Sequence, residues 1–157
     1  MKKLILTTAV LLCITFILSA CQSLGKEQGI FQWNDSFVGD NNAISSIVFQ
    51  LPNADSFESM ELQTKEEPYE IILHYQEIMA DNLEQEYQYT AFYNATFLFT
   101  LVQNVEKVTF AFKDESYTLT RTELEKWYDT KLGDLNNEKE VKQLIESHQE
   151  ESATWFE

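Results

Sequence analysis

Ala91 to Val105 is the most apolar stretch of the chain beyond residue 21. At 15 residues it is too long for an ordinary strand of about 5–6. Ala91, Ala95, Leu98, Val102 and Val105 fall on one helical face, with Phe97 and Leu101 beside it. The stretch is therefore predicted to be a buried helix, with Asn104 suited to its C-cap. The chain can surround such a helix. Its 157 residues are about one domain's worth, and 44% hydrophobic with 13% aromatic residues is enough for a core rather than a disordered coil.

Alternating patterns flank the helix. Met60, Leu62 and Thr64 alternate with Glu61 and Gln63, Lys65-Glu66-Glu67-Pro68 makes a turn, and Tyr69, Ile71, Leu73 and Tyr75 alternate with Glu70, Ile72, His74 and Gln76. This predicts a β-hairpin whose second strand is the more buried. A second hairpin follows the helix: Val108, Phe110 and Phe112 alternate with Lys107, Thr109 and Ala111, Lys113-Asp114-Glu115 turns, and Tyr117 and Leu119 continue the partner strand. Asp81 to Gln88, polar and acidic, reads as an exposed connection.

Three further helices are expected. Ile44, Ile47, Val48 and Leu51 share a face, with Asn41 or Asn42 as cap and Pro52 as stop. Thr120-x-x-Glu123 is a capping box, opening a helix with Leu124, Trp127 and Tyr128 on one face; Gly133 ends it or the turn after it. Asn137 with Glu140 caps the last helix, whose face is Val141, Leu144, Ile145 and His148. The fold class is α+β, a mainly antiparallel sheet from two β-hairpins with helices packed on it. The expected core includes Ile47, Leu51, Leu73, Leu98, Leu101, Phe110, Leu119, Leu124 and Trp127.

The N-terminus carries a second kind of signal. Lys2 and Lys3 precede an apolar run from Leu4 to Leu18, then Ser19-Ala20 and Cys21. The run is shorter than the roughly 20 residues of a spanning helix. Leu18-Ser19-Ala20-Cys21 is similar to a bacterial lipobox, which implies that the Cys21 thiol takes a diacylglyceryl group and becomes residue one of the mature chain. Residues 1–20 are then a lipoprotein signal peptide, 21–30 a polar tether, 31–150 a single α+β domain and 151–157 a C-terminal tail. Cys13 leaves with the signal, so the mature chain has no free thiol. Without Lys2 and Lys3 it has 9 basic and 26 acidic residues, net −17. Acyl chains such as palmitate contribute about 0.8 kcal/mol per buried CH₂, which outweighs repulsion from an anionic leaflet. The expected location is the extracytoplasmic face of the cell membrane. The excess of Lys over the one Arg, Arg121, points to a low-GC Gram-positive source.

A group of motifs carries a resemblance. Phe37-Val38-Gly39-Asp40-Asn41-Asn42, then Leu51-Pro52, then Leu62-Gln63-Thr64-Lys65-Glu66-Glu67-Pro68-Tyr69 resemble the opening of domain-of-unknown-function family 4825. Asn94-Ala95, Leu98-Phe99, Asn104-Val105 and Thr120-Arg121 with Glu123 extend it, over roughly residues 33–130. Where the family often has Gly after Pro-Tyr, this chain has Glu70. The resemblance implies a small bacterial envelope lipoprotein, and a module also found appended to membrane-bound sensor peptidases of the antibiotic-response type. It implies no catalysis and no assigned site residues.

The chemistry-bearing residues are sparse. The −15 formal charge and lone Arg121 argue against nucleic-acid binding, and two Cys with two His leave no disulfide framework or four-ligand zinc site. No cofactor is called for, and no nucleophile, P-loop or His-Glu-x-x-His motif is present. His74 reads as a general base or a sheet-surface His, His148 as a helix-end His. Asp40-Asn41-Asn42 suits a turn and cap better than a calcium loop. Glu66-Glu67 and Glu84 with Glu86 could act as acid and base or bind cations, or be solvated charges. Arg121 could clamp a carboxylate ligand or pair with a nearby Glu. Phe31, Trp33, Trp155 and Phe156 could grip a partner or pack on the core.

Two functions survive. One is a non-catalytic, lipid-anchored cell-envelope module that binds or senses, with the membrane through its lipid and an envelope protein or peptide as partners. The alternative is a small extracytoplasmic hydrolase using carboxylates, which needs two carboxylates roughly 5–10 Å apart in a cleft.

Overall fold

The computed structural model describes residues 29–149, 155 and 156. A 3-10 turn over Ile30–Trp33 leads to helix α1 (Asn41–Val48). Strands β1 (Phe57–Gln63) and β2 (Glu70–Tyr75) follow, then the long helix α2 (Leu83–Leu101), strands β3 (Lys107–Ala111) and β4 (Ser116–Thr120), and helices α3 (Arg121–Tyr128) and α4 (Glu138–Ser147). The fold is α+β, with four helices on a four-stranded, mostly antiparallel sheet.

The sheet order is β1-β2-β3-β4. Both hairpins form: β1 pairs antiparallel with β2, and β3 with β4. The two hairpins join by a parallel β2–β3 pairing, with Ile71 opposite Val108 and Leu73 opposite Phe110. Parallel neighbours need a long crossover, and α2 is that crossover. Ile71, Leu73, Tyr75, Val108, Phe110 and Leu119 point into the core, while Glu61, Ile72, His74, Thr109 and Thr118 lie on the other, open face.

α2 is buried along most of its length. It touches β3 and β4 on one side and α4 and the 3-10 turn Leu132–Asp134 on another. Apolar side chains all round suit a helix enclosed by the domain. Its buried hydroxyls bond within the helix: Thr96 donates to the Phe92 carbonyl at 2.8 Å and Thr100 to the Thr96 carbonyl at 2.8 Å. Asn94 ties it outward, donating to the Pro52 carbonyl at 3.1 Å and to the Tyr75 hydroxyl at 3.2 Å. Burial pushes the Tyr75 hydroxyl up to about 12, with Asn94 opposing.

Several expected boundaries move. Asp81 to Gln85 are exposed as expected, but the segment is not a connection throughout, because Leu83 to Gln88 form the first turns of α2. The Asn82 side chain accepts from the Gln85 amide at 3.3 Å, Glu84 and Glu86 suit the positive helix start, and Tyr87 is buried, stacked on Phe112 with ring centres 4.2 Å apart. The helix ends at Leu101, not Asn104. Asn104 instead accepts the Val38 amide at 2.9 Å. The cap of α1 is Asp40, whose carboxylate accepts from the Ala43 amide at 3.0 Å, rather than Asn41 or Asn42. α1 stops at Val48, and i→i+3 turns carry its face on to Leu51 before Pro52. β1 begins at Phe57 and ends before Thr64. α3 stops at Tyr128, where Asp129 turns left-handed at φ 49°, and Gly133 sits in the following 3-10 turn. Of the expected core, Trp127 is only half-buried; the other eight named residues are buried.

The caps of the last two helices form as read. Thr120 accepts from the Glu123 amide at 3.3 Å, and Asn137 from the Glu140 amide at 3.0 Å.

Candidate functional site

Arg121 lies where α3 starts beneath the end of α2. Its Nε donates to the Val105 carbonyl at 2.9 Å, Nη1 to Phe99 at 2.6 Å and Nη2 to Val102 at 2.6 Å. Its guanidinium stands 5.3 Å from the Phe99 ring centre and 3.6 Å from Glu125. A helix end leaves carbonyls without intrahelical partners, and a planar fork of N–H groups can satisfy several at once. Burial lowers the pKa of Arg121, with Glu125 opposing. The residue pairs with a neighbouring Glu, one of the two roles expected, but its main work is to cap α2. Glu125 is itself held, accepting the Leu132 amide at 3.2 Å.

The two histidines stand apart in the fold. His74 is half-buried on the open sheet face, with Nε2 3.1 Å from Glu61 on β1. His148 follows α4, with Nδ1 2.9 Å from the Leu144 carbonyl and its ring against Trp127 and Tyr128 at 5.0 and 5.1 Å.

The carboxylates divide likewise. Asp40 caps α1. Glu66 and Glu67 are exposed at the β1–β2 turn, Glu84 is exposed, and Glu86 accepts from Asn53 at 2.8 Å. Among the described residues the most buried carboxylate is one that sequence reasoning did not single out as a site. Glu70 is 7% exposed, with Lys107 at 2.8 Å and the Thr109 hydroxyl donating at 2.7 Å. Thr109 and Thr118 lie 2.9 Å apart, so the row crosses three strands. Alternation along β2 put Glu70 on the face of Ile72 and His74; only the parallel β2–β3 register supplies Lys107.

Among the aromatics, Phe31 and Trp33 are half-buried against the core. Trp155 sits edge-on to Phe92 and Trp127 at 6.2 and 5.8 Å, and Phe156 lies 4.8 Å from Tyr117. All four pack rather than project. The large apolar side chains that do project include Phe37, Phe49 and Met79. Surface depressions are lined by polar and charged residues: one at α3 by Glu125, Lys126, Asp129 and Lys131, another along α4 by Glu138, Lys142 and Glu146. Among the described residues no group of three or more His, Cys, Asp or Glu is placed to hold a metal ion, and no helix is long and apolar enough to cross a membrane. Cys21 lies outside the described residues.

No curated protein and no solved structure gives a significant match. A family model does, over residues 30–122, from the first 3-10 turn through Arg121. That span covers α1, the whole sheet, α2 and the arginine that caps it, so the chain belongs to the family described as domain of unknown function DUF4825.

Proposed function

We propose that this chain is a lipid-anchored, non-catalytic module of the cell envelope that binds or senses a partner at the extracytoplasmic membrane face. Supporting the anchor are the Lys2-Lys3 start, the apolar run and Leu18-Ser19-Ala20-Cys21. One observation carries the binding role. Arg121, Glu70, His74 and His148 each hold a partner within the fold, whereas Phe49 and Met79 project from an acidic surface. Groups already engaged in capping and cross-strand pairs serve acid–base chemistry poorly, and exposed large apolar side chains favour association. A lipid tether adds high effective concentration toward membrane-bound partners.

Two measurements test this reading. Cys21→Ser should release the chain from the membrane fraction; a variant that stays membrane-bound at processed mass refutes the anchor. Assays of the purified chain against peptidoglycan, peptides, esters and phosphoesters should show no turnover. Turnover abolished by one carboxylate or His substitution would establish the hydrolase instead.

A further inference from the structure

The register of the sheet gathers specific features at one of its ends. β1 and β4 begin there, and β2 and β3 finish there. Phe49 reaches this end through its ring contact with Phe57, centres 5.7 Å apart, and Phe57 pairs with Tyr75. The segment leaving β2 carries Met79, 91% exposed, and enters α2 at Leu83, 39% exposed; Phe49 is 62% exposed. Three large apolar side chains thus face water at one end of a small domain.

The charges around them are mainly negative. Glu77 and Asp81 lie on the segment that carries Met79, and Asp114 and Glu115 form the β3–β4 turn. The Tyr117 hydroxyl donates to Glu115; burial raises that hydroxyl most, with Glu115 and then Glu84, in the first turn of α2, adding to it. The lysine among them, Lys113, is already 3.5 Å from Glu77. The helix start explains Glu84, because α2 favours acids in its first turn. It does not explain the carboxylates of the turn or of the β2–α2 segment. The opposite end of the sheet is mixed in sign, with Lys107 on Glu70 and Arg121 on the α2 carbonyls.

We propose that this end is the docking surface of the module, and that its partner is a cationic amphipathic segment of a peptide or protein. The inference rests on the binding role proposed above and adds the place and the chemistry. Apolar side chains of the partner cover Met79, Leu83 and Phe49, while its Lys or Arg residues meet the surrounding carboxylates. A second copy of this chain would bring like charges together, and an anionic membrane would be repelled. Charge complementarity therefore selects a basic partner, and the apolar trio separates it from a simple polycation.

The probe is a synthetic peptide of two Lys-Leu-Ala-Lys-Leu-Ala-Lys repeats, titrated against the full chain in neutral detergent micelles. Saturable binding that weakens with salt is expected. Replacing the peptide's Leu by Ser, or its Lys by Glu, should each reduce affinity about tenfold or more. Met79→Ser with Leu83→Ser should do the same, as should Asp81→Asn with Asp114→Asn. Glu66→Gln with Glu67→Gln removes as much charge at the far end and should change affinity less than about twofold. A photo-reactive leucine in the peptide should cross-link to residues 76–84 of the unsubstituted chain, a readout independent of how the variants fold.

Equal losses from both charge pairs would reduce the effect to overall charge and overturn the docking surface. So would absent binding, concentration-dependent dimerisation through Met79, or binding to phosphatidylcholine vesicles in place of the peptide. Absent peptide binding with Cys21-dependent anchoring intact removes this surface alone. A Cys21→Ser chain that stays on the membrane removes the anchor and leaves the surface standing.

Discussion

At its N-terminus α2 is closed by Asn82, three residues before the Gln85 amide it accepts. At its C-terminus it is closed by Arg121, which arrives from the far side of the β3–β4 hairpin to bind the Phe99, Val102 and Val105 carbonyls. The first closure is local and needs only a short polar side chain at the right spacing. The second requires the sheet to be assembled, because β4 must deliver the first residue of α3 beneath the helix end. The N-terminal turns are accordingly polar and partly exposed, while the C-terminal turns are buried on all sides. The two ends of one helix therefore report on different things: one on propensity, the other on the whole fold.

Substitutions along α2 measure that contrast, and the buried middle provides its scale. Leu98 is fully buried, so Leu98→Ala should destabilise the chain by about 2–5 kcal/mol in denaturant melts. A loss below about 1 kcal/mol would mean that the helix is not enclosed.

Arg121→Ala should cost about 3 kcal/mol, because it strips three carbonyls of a charged donor in a partly buried place. Arg121→Lys should recover only part of this, since one ammonium cannot reach three carbonyls as a planar fork does. Full recovery by Lys would reduce the cap to a charge effect and break the contrast between the two ends.

Tyr75, which meets the helix at Asn94, sharpens the comparison through pH. Its hydroxyl ionises at about 12 in the folded chain against about 10 when unfolded. The folded state thus keeps a proton that the unfolded state releases, so stability is full below about pH 10 and falls as pH rises through 12. The loss from Tyr75 should reach about 2 kcal/mol by pH 12, and Tyr75→Phe should remove that share while Tyr117 and Tyr128, whose hydroxyls burial also raises, keep theirs. An unchanged profile in the variant would show that Tyr75 is not the group responsible.

The smallest effect belongs to the local end. Asn82→Ala should cost about 1 kcal/mol by thermal or denaturant melting, well under Arg121→Ala. Equal costs at the two ends would dissolve the distinction.

Particular residues show how far the sequence could be read. The capping boxes at Thr120 and Asn137 were legible because each is completed within three residues. The alternation of Ile71, Leu73 and Tyr75, and of Val108 and Phe110, correctly marked inward faces. The opening of α2 was not legible: Leu83 to Gln88 are mostly polar and exposed or half-buried, and only Tyr87 among them is buried, where it meets Phe112. Glu70 looked like an ordinary outward residue of β2 until Lys107 was placed beside it. Arg121 was expected to meet a carboxylate, and it does at Glu125, but no spacing rule connects it to carbonyls as distant as Phe99.

By itself the sequence determined the two hairpins, the four helices in their order, the α+β class and most of the core. These follow from hydrophobic period and side-chain caps, which act over a few residues of chain. The tertiary structure decided the parallel junction of β2 with β3, the true ends of α2, the burial of Glu70 and the gathering of Phe49, Met79 and Leu83 at one end of the sheet. Each of these is a contact between residues distant in sequence. Their partners are chosen by which faces must be buried together and which backbone groups would otherwise go unbonded, and neither condition is defined until the chain has closed on itself.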